Sequence, residues 1–269
     1  MEFSKSAIQR FLKTKVFGRE IHFLSQTQST QTIASDLAQN GKPEGFLVVA
    51  DQQTSGRGRH GHHWQSPPGV NLYFSLIFRP HWPMQRSNEI QFLCAVAAAE
   101  ALKKYAHVEV NLKWPNDLRV GNKKIGGIIL TTHAGDNSQT EYIVMGMGIN
   151  LNMGKNKWPD ELKNIATSVR EITGKEINRC EFLAKFLQEL ESLYQTLNQK
   201  GFSAIRDKWQ VLAPHMMGPE VIVKDAMVIG ESKVIDKVVG KSKGINDQGH
   251  LRVETNDGKV LSILDGTLG

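Results

Sequence analysis

The sequence predicts an α+β fold in which a sheet packs against helices and a small β-barrel follows. Two segments carry apolar residues at helical spacing, Glu89–Tyr105 and Arg179–Asn198. Between residues 70 and 78, apolar residues instead recur at every second position, as in a strand. After Pro214 the helical spacing is lost, and short strand-like pieces alternate with Gly, Asn and Asp turns. These patterns predict a mixed domain over residues 1–212 and a barrel domain over residues 213–269.

The elements before residue 110 follow from local patterns. We expect a helical turn or two between Ala7 and Phe17, and a helix from about Thr30 that ends at Asn40-Gly41. Residues 46–50 form a short apolar run of the buried-strand type, and the alternating strand at 70–78 ends near Pro80.

Three more strands are expected at residues 108–113, 125–132 and 141–151. The last two are joined by Ala134-Gly135-Asp136-Asn137, a turn sequence that suits an antiparallel hairpin. Asn178 is the expected N-cap of the second long helix. The barrel strands are expected near residues 221–224, 237–240, 250–254 and 260–264.

Composition limits the class of protein. The chain has 269 residues, of which 40% are hydrophobic and 22% charged, as in ordinary globular proteins. Its two cysteines, Cys94 and Cys180, form no CxxC pair, which excludes a cysteine-ligated zinc site and a disulfide framework and favours a reducing cytosol. No apolar run approaches the ~20 residues of a membrane span, and no signal peptide is evident, so we expect a cytoplasmic protein without a membrane partner.

The net charge of +6 admits two interpretations. The surface either meets nucleic acid or attracts a small anion or an acidic partner protein. The cations are spread along the chain, and neither a reading helix nor an aromatic and basic platform is evident. We therefore expect no specific nucleic-acid partner.

The first candidate site is a glycine-arginine loop at residues 55–64, with the sequence Ser-Gly-Arg-Gly-Arg-His-Gly-His-His-Trp. Glycines allow close backbone approach to an anion, and Arg57 and Arg59 supply fixed charge. The alternative is a solvated turn with incidental arginines. The three histidines lack a carboxylate or cysteine at ligand spacing, so a metal site is not expected. Trp64 is expected to anchor the loop by packing.

The second candidate site begins at Lys113-Trp114-Pro115-Asn116-Asp117, where Pro115 is expected to end a strand and direct Asn116 and Asp117 into a turn. Asp117 could orient an amine, help to hold Mg²⁺ beside phosphates, or simply bond its own backbone. Lys124 precedes Ile125-Gly126-Gly127, where a cation can project into a cleft beside glycines. The two loops together suggest activation of a carboxylate by a nucleotide.

Other motifs narrow this chemistry. Gly146-Met147-Gly148-Ile149-Asn150 lacks the spacing and the following helix of a dinucleotide fold, and no P-loop occurs, so ATP would be bound in another way. Ser29-Thr30 could cap a helix or contact a ligand. Cys94 is expected in the core.

These motifs together resemble the biotin protein ligase family. The resemblance rests on residues 56–64, 113–117, 124–127 and 146–150, on Ala166–Glu171 before Thr173–Glu176, and on Gly244–Leu251 with Asp257-Gly258. It extends from about Ile21 to the end of the chain. It implies a catalytic domain related to class II aminoacyl-tRNA synthetases and an SH3-like carboxyl-terminal domain.

The resemblance also implies two half-reactions. Biotin and MgATP give biotinyl-5′-AMP, and a lysine of the biotin carboxyl carrier domain of acetyl-CoA carboxylase, or a related carboxylase, then displaces AMP. Mg²⁺ would come with ATP and not be held by the protein alone. Lys124, Arg59 and Asp117 are the implied catalytic residues. The implied biotin and adenylate contacts are Ser29, Thr30, Gln31, Gln53, Gly56, Arg57, Gly58, Lys113, Gly126, Gly127 and Asn150, the last beside the adenine.

Two departures from the family pattern matter. His60 and His62 stand where the family often has a cation, so the charge of the loop should fall as pH rises through the histidine range. The short segment before Ile21 leaves no room for an N-terminal winged helix-turn-helix, which argues against operator binding. A lipoate or octanoate transferase or ligase is the alternative within the fold, and a nucleic-acid-binding regulator the alternative outside it. We expect a monomer or a weak homodimer.

Overall fold

The computed structural model describes residues 2–135 and 139–269. The described helices are Lys5–Phe11 (α1), Thr30–Gln39 (α2), Glu89–Ala106 (α3), Val169–Thr173 (α4), Arg179–Lys200 (α5) and Ser203–Leu212 (α6). The described strands are Ile21–Thr27 (β1), Leu47–Gln53 (β2), Leu72–Phe78 (β3), Asn111–Lys113 (β4), Asp117–Val120 (β5), Lys123–Ala134 (β6), Thr140–Ile149 (β7), Met217–Val228 (β8), Ile235–Ile245 (β9), Leu251–Thr255 (β10) and Val260–Leu268 (β11).

Seven strands form a mixed sheet in the order β1-β2-β3-β7-β6-β5-β4. Only β1 and β2 pair in parallel, and the other neighbours are antiparallel. The expected antiparallel pairing of β6 and β7 is confirmed, while Asp136 and Asn137 of the turn predicted between them lie outside the described residues. The expected mixed sheet with flanking helices is therefore correct.

Both faces of the sheet are covered, but unequally. Helix α3 packs on α5, and this layer fills the main core, with β3 buried at all seven positions. Asn178 caps α5 as expected, its side chain accepting from the amides of Cys180 and Glu181. A cap of this kind contributes about 1 kcal/mol. Among the described helices, α2 alone packs on the opposite face, through Ala34 and Ala38. The sheet beyond the N-terminus of α2 is thus left open, and the functional site lies there.

Strands β8–β11 close into a barrel in the order β10-β11-β8-β9. This confirms the small carboxyl-terminal barrel expected from the change of pattern after Pro214. The proposed domain boundary between residues 212 and 213 stays a prediction; α6 ends at Leu212 and β8 begins at Met217. Among the described residues, no helix combines the length and apolar character needed to span a membrane.

Several sequence expectations need correction. The expected turn is present at residues 114–116 and includes Asn116, but Asp117 already belongs to strand β5, where it pairs with Lys113 on one side and with Gly127 on the other. The first helix is Lys5–Phe11, since Ser4 caps it and Leu12 is already extended. Strands β1 and β5 and helices α4 and α6 were not expected. The strand expected at 108–113 is only three residues long.

Candidate active site

A cavity of about 420 Å³ opens on the sheet face that α2 leaves uncovered. This is the size of a typical small-molecule site. Twelve of the residues expected at the site line it: Ser29, Thr30, Gln31, Gln53, Arg57, Gly58, Arg59, Lys113, Asp117, Lys124, Gly127 and Asn150. Gly56 and Gly126, also expected at the site, are buried and do not line the cavity. Folding therefore brings the separate sequence motifs to one place.

One end of the cavity is lined by amides and hydroxyls. The Gln53 side-chain oxygen accepts from the Thr30 amide at 2.9 Å and from its hydroxyl at 3.1 Å. The Gln53 amide group in turn donates to Ser66 Oγ at 3.0 Å. These bonds fix Gln53, at the end of β2, against the first turn of α2.

Gln31 is fixed in the same way from the other side. Its Nε2 donates to the Val144 carbonyl at 2.9 Å and to Thr131 Oγ1 at 3.0 Å, and its Oε1 accepts from Ser75 Oγ at 3.1 Å. Ser75, which sequence reasoning did not single out, lines the cavity and is fully buried. A serine inside an otherwise apolar buried strand was the signal available for it.

Ser29 is the N-cap residue of α2 by position, yet its side chain makes no capping hydrogen bond. Its Oγ is buried and has no hydrogen-bond partner among the residues that the structure describes. An unpaired buried hydroxyl costs about 1–3 kcal/mol, so the alternative of a ligand contact is favoured over the capping role.

Two glycines of β7 lie at this end of the cavity, each closely covered by another side chain. Trp64 lies over β7, and a Cβ on Gly148 would lie 2.4 Å from its Cε2 and Nε1 atoms. Gly146 is similarly closed by Gln31, whose Oε1 would lie 2.3 Å from an added Cβ. Trp64 packs as expected, and it also lines the cavity. The indole Nε1 is buried without a hydrogen-bond partner among the described residues.

The glycine-arginine loop folds as a short hairpin over the cavity. The Gly58 amide donates to the His62 carbonyl at 2.7 Å, and the Trp64 amide donates to the Gly56 carbonyl at 2.9 Å. A Cβ on Gly56 would lie 2.4 Å from the Trp64 carbonyl oxygen, so the tight crossing of the two arms requires glycine.

Both arginines of this loop line the cavity, and Arg59 is the more buried of the two. Its side chain is 20% exposed and pairs with Asp265 of β11, while its Nη1 donates to Asn116 Oδ1 at 3.3 Å. Burial lowers the pKa of the guanidinium, and the charge of Asp117 opposes this shift. Arginine nevertheless stays charged in proteins.

As pH rises, His60 loses its positive charge at a lower pH than an ordinary histidine does, because its pKa is lowered. Partial burial lowers the pKa of His60, and the charges of Arg59 and His62 lower it further, against Asp225 of the barrel. Arg57 and Arg59 supply positive charge to the loop that does not depend on pH in this range.

Lys124 and Asp117 form the ion pair at the other end of the cavity. Their Nζ and Oδ1 atoms are 2.5 Å apart, with side chains 31% and 17% exposed. The ammonium of Lys124 also lies 5.4 Å from the ring centroid of Trp64. Its backbone is held on both sides, since its amide donates to Ile165 and its carbonyl accepts from Thr167. The lysine thus sits between the loop and the sheet.

Two more cations surround Asp117. Arg119 Nη2 lies 3.6 Å from Asp117 Oδ2, and Lys113 projects from the neighbouring strand β4. Burial lowers the pKa of Lys113, as do the charges of Arg119 and Lys124, while Asp117 raises it. A single carboxylate among three cations leaves this end of the cavity strongly electropositive, which suits a polyphosphate. Arg119 was not expected; its position two residues after Asp117 on β5 placed it there.

The barrel also contributes residues to the cavity, and the sequence had singled out none of them. Gly266, Thr267 and Leu268 of β11 line it. Lys113 Nζ donates to the Leu268 carbonyl at 2.7 Å.

Asn150, expected beside the adenine, is buried and follows β7. Its side-chain oxygen accepts from Asn71 at 3.4 Å, and Val169 donates to its carbonyl.

No group of three or more His, Cys, Asp or Glu side chains in residues 2–135 and 139–269 could hold a metal ion. Cys94 is buried in α3, as expected, and burial raises the pKa of its thiol well above the ordinary value.

The cavity joins an end lined by amides to an end lined by cations, on a mixed sheet with an appended barrel. This arrangement is typical of an enzyme that uses a nucleotide to activate a small-molecule substrate. Comparison with known proteins agrees. Residues 23–150 match the model of the biotin/lipoate A/B protein ligase family. The bifunctional ligase/repressor BirA of Bacillus subtilis is 37% identical over 267 residues, which cover 99% of this chain and 79% of that protein. The chain belongs to the biotin protein ligase family.

Two further relatives support the assignment. The biotin–[acetyl-CoA-carboxylase] ligase of Paracoccus denitrificans is 29% identical over 85% of this chain and 91% of its own length. The biotin protein ligase of Aquifex aeolicus, solved with biotin and ATP, superposes with a TM-score of 0.74 at 29% identity, covering 93% of this chain and 98% of that one. The expected catalytic fold is thereby confirmed.

Proposed function

We propose that the protein attaches biotin to a lysine of a carrier domain in an ATP-dependent reaction that proceeds through biotinyl-5′-AMP. The observation that carries the proposal is a single cavity in which an amide-lined end meets Arg59, Lys113 and Lys124. The first end suits a small uncharged ring system with hydrogen-bonding groups, and the second suits phosphates. Membership in the family supports the choice of biotin and ATP.

In the first half-reaction, a carboxylate oxygen of biotin bonds to the α-phosphorus of ATP, and the bond to pyrophosphate breaks. The reacting groups are both anionic, so the chain must supply positive charge where they meet. Lys124 does this by exchanging its partner Asp117 for a phosphate oxygen. Lys113 holds further phosphate oxygens during this step, and Arg59 holds the phosphate of the adenylate once it has formed. Mg²⁺ would arrive with ATP and offset part of its negative charge. It would not be held by Asp117, whose carboxylate oxygens face Lys124 and Arg119.

In the second half-reaction, the acceptor amine attacks the carboxyl carbon, AMP leaves, and the amine loses a proton. Once Lys124 has moved to the phosphate, the Asp117 carboxylate is free to accept a hydrogen bond from that amine and orient it. The ion pair thus links the two steps. At the other end, Ser29 Oγ and Gln53 bind the ureido ring of biotin.

The test is incubation with ATP, a purified carrier domain and either biotin or lipoate, followed by intact-mass measurement of the acceptor. We expect a gain of one biotinyl group with biotin and no gain with lipoate. A lipoyl gain, or no modification by the folded protein, would refute the proposal.

Four expectations stay predictions: the domain boundary, the cytoplasmic location, the absence of specific DNA binding and the state as monomer or weak homodimer.

Replacing Gly148 by alanine is expected to weaken biotin binding by about tenfold, the effect of overpacking by one methyl group. The new Cβ would lie 2.4 Å from the indole of Trp64, which must leave its place over β7. Titration calorimetry with biotin measures the change. The control is Gly154→Ala, where an added Cβ would make only an ordinary contact with Lys157 Cγ at 3.7 Å. Equal affinities in the two variants would show that Trp64 does not shape the pocket.

A further inference from the structure

The last strand of the barrel reaches the catalytic loop through one side chain. Asp265 of β11 forms an ion pair with Arg59, a residue 206 positions earlier in the chain. Three residues further on, the Leu268 carbonyl accepts from Lys113 Nζ at 2.7 Å. The end of β11 therefore holds two of the cations that face the cavity.

The local structure of β11 is built to aim Asp265 at the loop. The pairing of β11 with β8 shifts register between Ile263 and Asp265, and again between Asp265 and Thr267. Such irregularities bend a strand and redirect the side chain at the irregular position. Gly266 has φ +157°, and a Cβ there would lie 2.6 Å from Val223 Cγ1. Glycine is therefore needed next to Asp265.

The carboxylate is itself held in place. Asp265 Oδ1 accepts from the Gly266 amide at 2.9 Å as well as from Arg59. On the other side of the guanidinium, Asn116 Oδ1 accepts from Nη1 at 3.3 Å. Arg59 is thus fixed at both Nη atoms, and a guanidinium has further N–H groups available to a phosphate.

We propose that Asp265 is a positioning residue that acts through Arg59, holding the guanidinium across the cavity so that its remaining N–H groups bind the phosphate of the adenylate. The inference rests on the proposed function and adds the barrel to the site that retains the intermediate. An oriented guanidinium loses less conformational freedom when the phosphate binds, which is the advantage of a preorganised group.

If Asp265 competed with the phosphate for Arg59, its removal would have the opposite effect on the release of biotinyl-AMP. A carboxylate bound to Arg59 could instead compete with the phosphate for the same cation. Removing it would then slow the release of biotinyl-AMP. The sign of the change in the dissociation rate distinguishes positioning from competition.

The experiment compares Asp265→Ala and Asp265→Asn with wild type, each alone and combined with Arg59→Ala. The dissociation rate of preformed, labelled biotinyl-AMP is measured by chase with unlabelled ligand, and thermal unfolding is recorded in parallel. The matched control is Asp257→Asn, an exposed carboxylate in the turn before β11 that contacts Thr255 and Lys259. The wild-type protein must first form biotinyl-AMP, so a failure of the proposed function shows separately.

We expect Asp265→Ala to release the adenylate about tenfold faster, the order expected when a charge-assisted hydrogen bond is lost. Asp265→Asn keeps an acceptor oxygen and should show a smaller increase. In the Arg59→Ala background, neither change should have a further effect, since Asp265 acts through that residue. Slower or unchanged release in Asp265→Ala, or effects that add to those of Arg59→Ala, would overturn the proposal. The Asn variant keeps the volume of the side chain and covers the case in which alanine unfolds the barrel.

Discussion

Replacing Lys124 by alanine is expected to slow the formation of biotinyl-AMP by about 10²–10³-fold, the usual effect of removing one preorganised group that stabilises transition-state charge. Lys124 is 2.5 Å from Asp117, and its backbone is held by hydrogen bonds to residues 165 and 167, so its ammonium already lies at the cavity when ATP binds and has only to exchange Asp117 for a phosphate oxygen. Pyrophosphate release, or exchange of labelled pyrophosphate into ATP, measures the step.

Lys123→Ala is the matched control, because Lys123 is the adjacent residue on β6 and its Nζ donates to the carbonyl of Lys163. It should adenylate biotin at nearly the wild-type rate. The thermal unfolding of Lys124→Ala should change little, since an ion pair between partly exposed groups contributes about 1 kcal/mol or less. Near-normal adenylation by the folded Lys124→Ala protein would remove Lys124 from the catalytic residues.

The predictable parts of the fold are those in which apolar residues recur at a regular spacing along the sequence. Helices α3 and α5 carry long apolar stripes, and Asn178 marks the start of α5. Strand β1 lacked such a signal, because it lies at the edge of the sheet and its second half, Ser25 to Thr27, is entirely polar. Strand β5 has only four residues, too few for a period to show.

The site was predictable where its residues stand close together in the sequence. The stretches around Arg59, Asp117 and Lys124 were each visible as a motif, and the structure places them around one cavity. What the sequence could not show is pairing between distant residues. The contact of Arg59 with Asp265 depends on how the barrel docks and on two shifts in strand register, neither of which has a local pattern.

Arg59→Ala is expected to form biotinyl-AMP but to lose it to solution. A mixed anhydride is labile in water, so the enzyme must enclose it until the acceptor lysine arrives. Arg59 is suited to this role because the hairpin of residues 55–64 carries it over the cavity, and Asn116 and Asp265 fix its side chain. The substitution removes the charge that holds the loop against the phosphate. Alanine is chosen over glycine so that no flexibility is added to the loop.

The dissociation rate of the adenylate should rise by about tenfold or more in Arg59→Ala, because a charged hydrogen-bond partner of the phosphate is lost. The released adenylate should acylate exposed lysines of a bystander such as albumin, so biotin incorporation into albumin is the second measurement. Arg252→Ala, which removes an exposed arginine from β10, serves as the control and should leave albumin unlabelled. If Arg59→Ala forms the adenylate slowly and leaks no faster than wild type, then Arg59 acts in binding ATP, and the intermediate is retained by other groups of the loop.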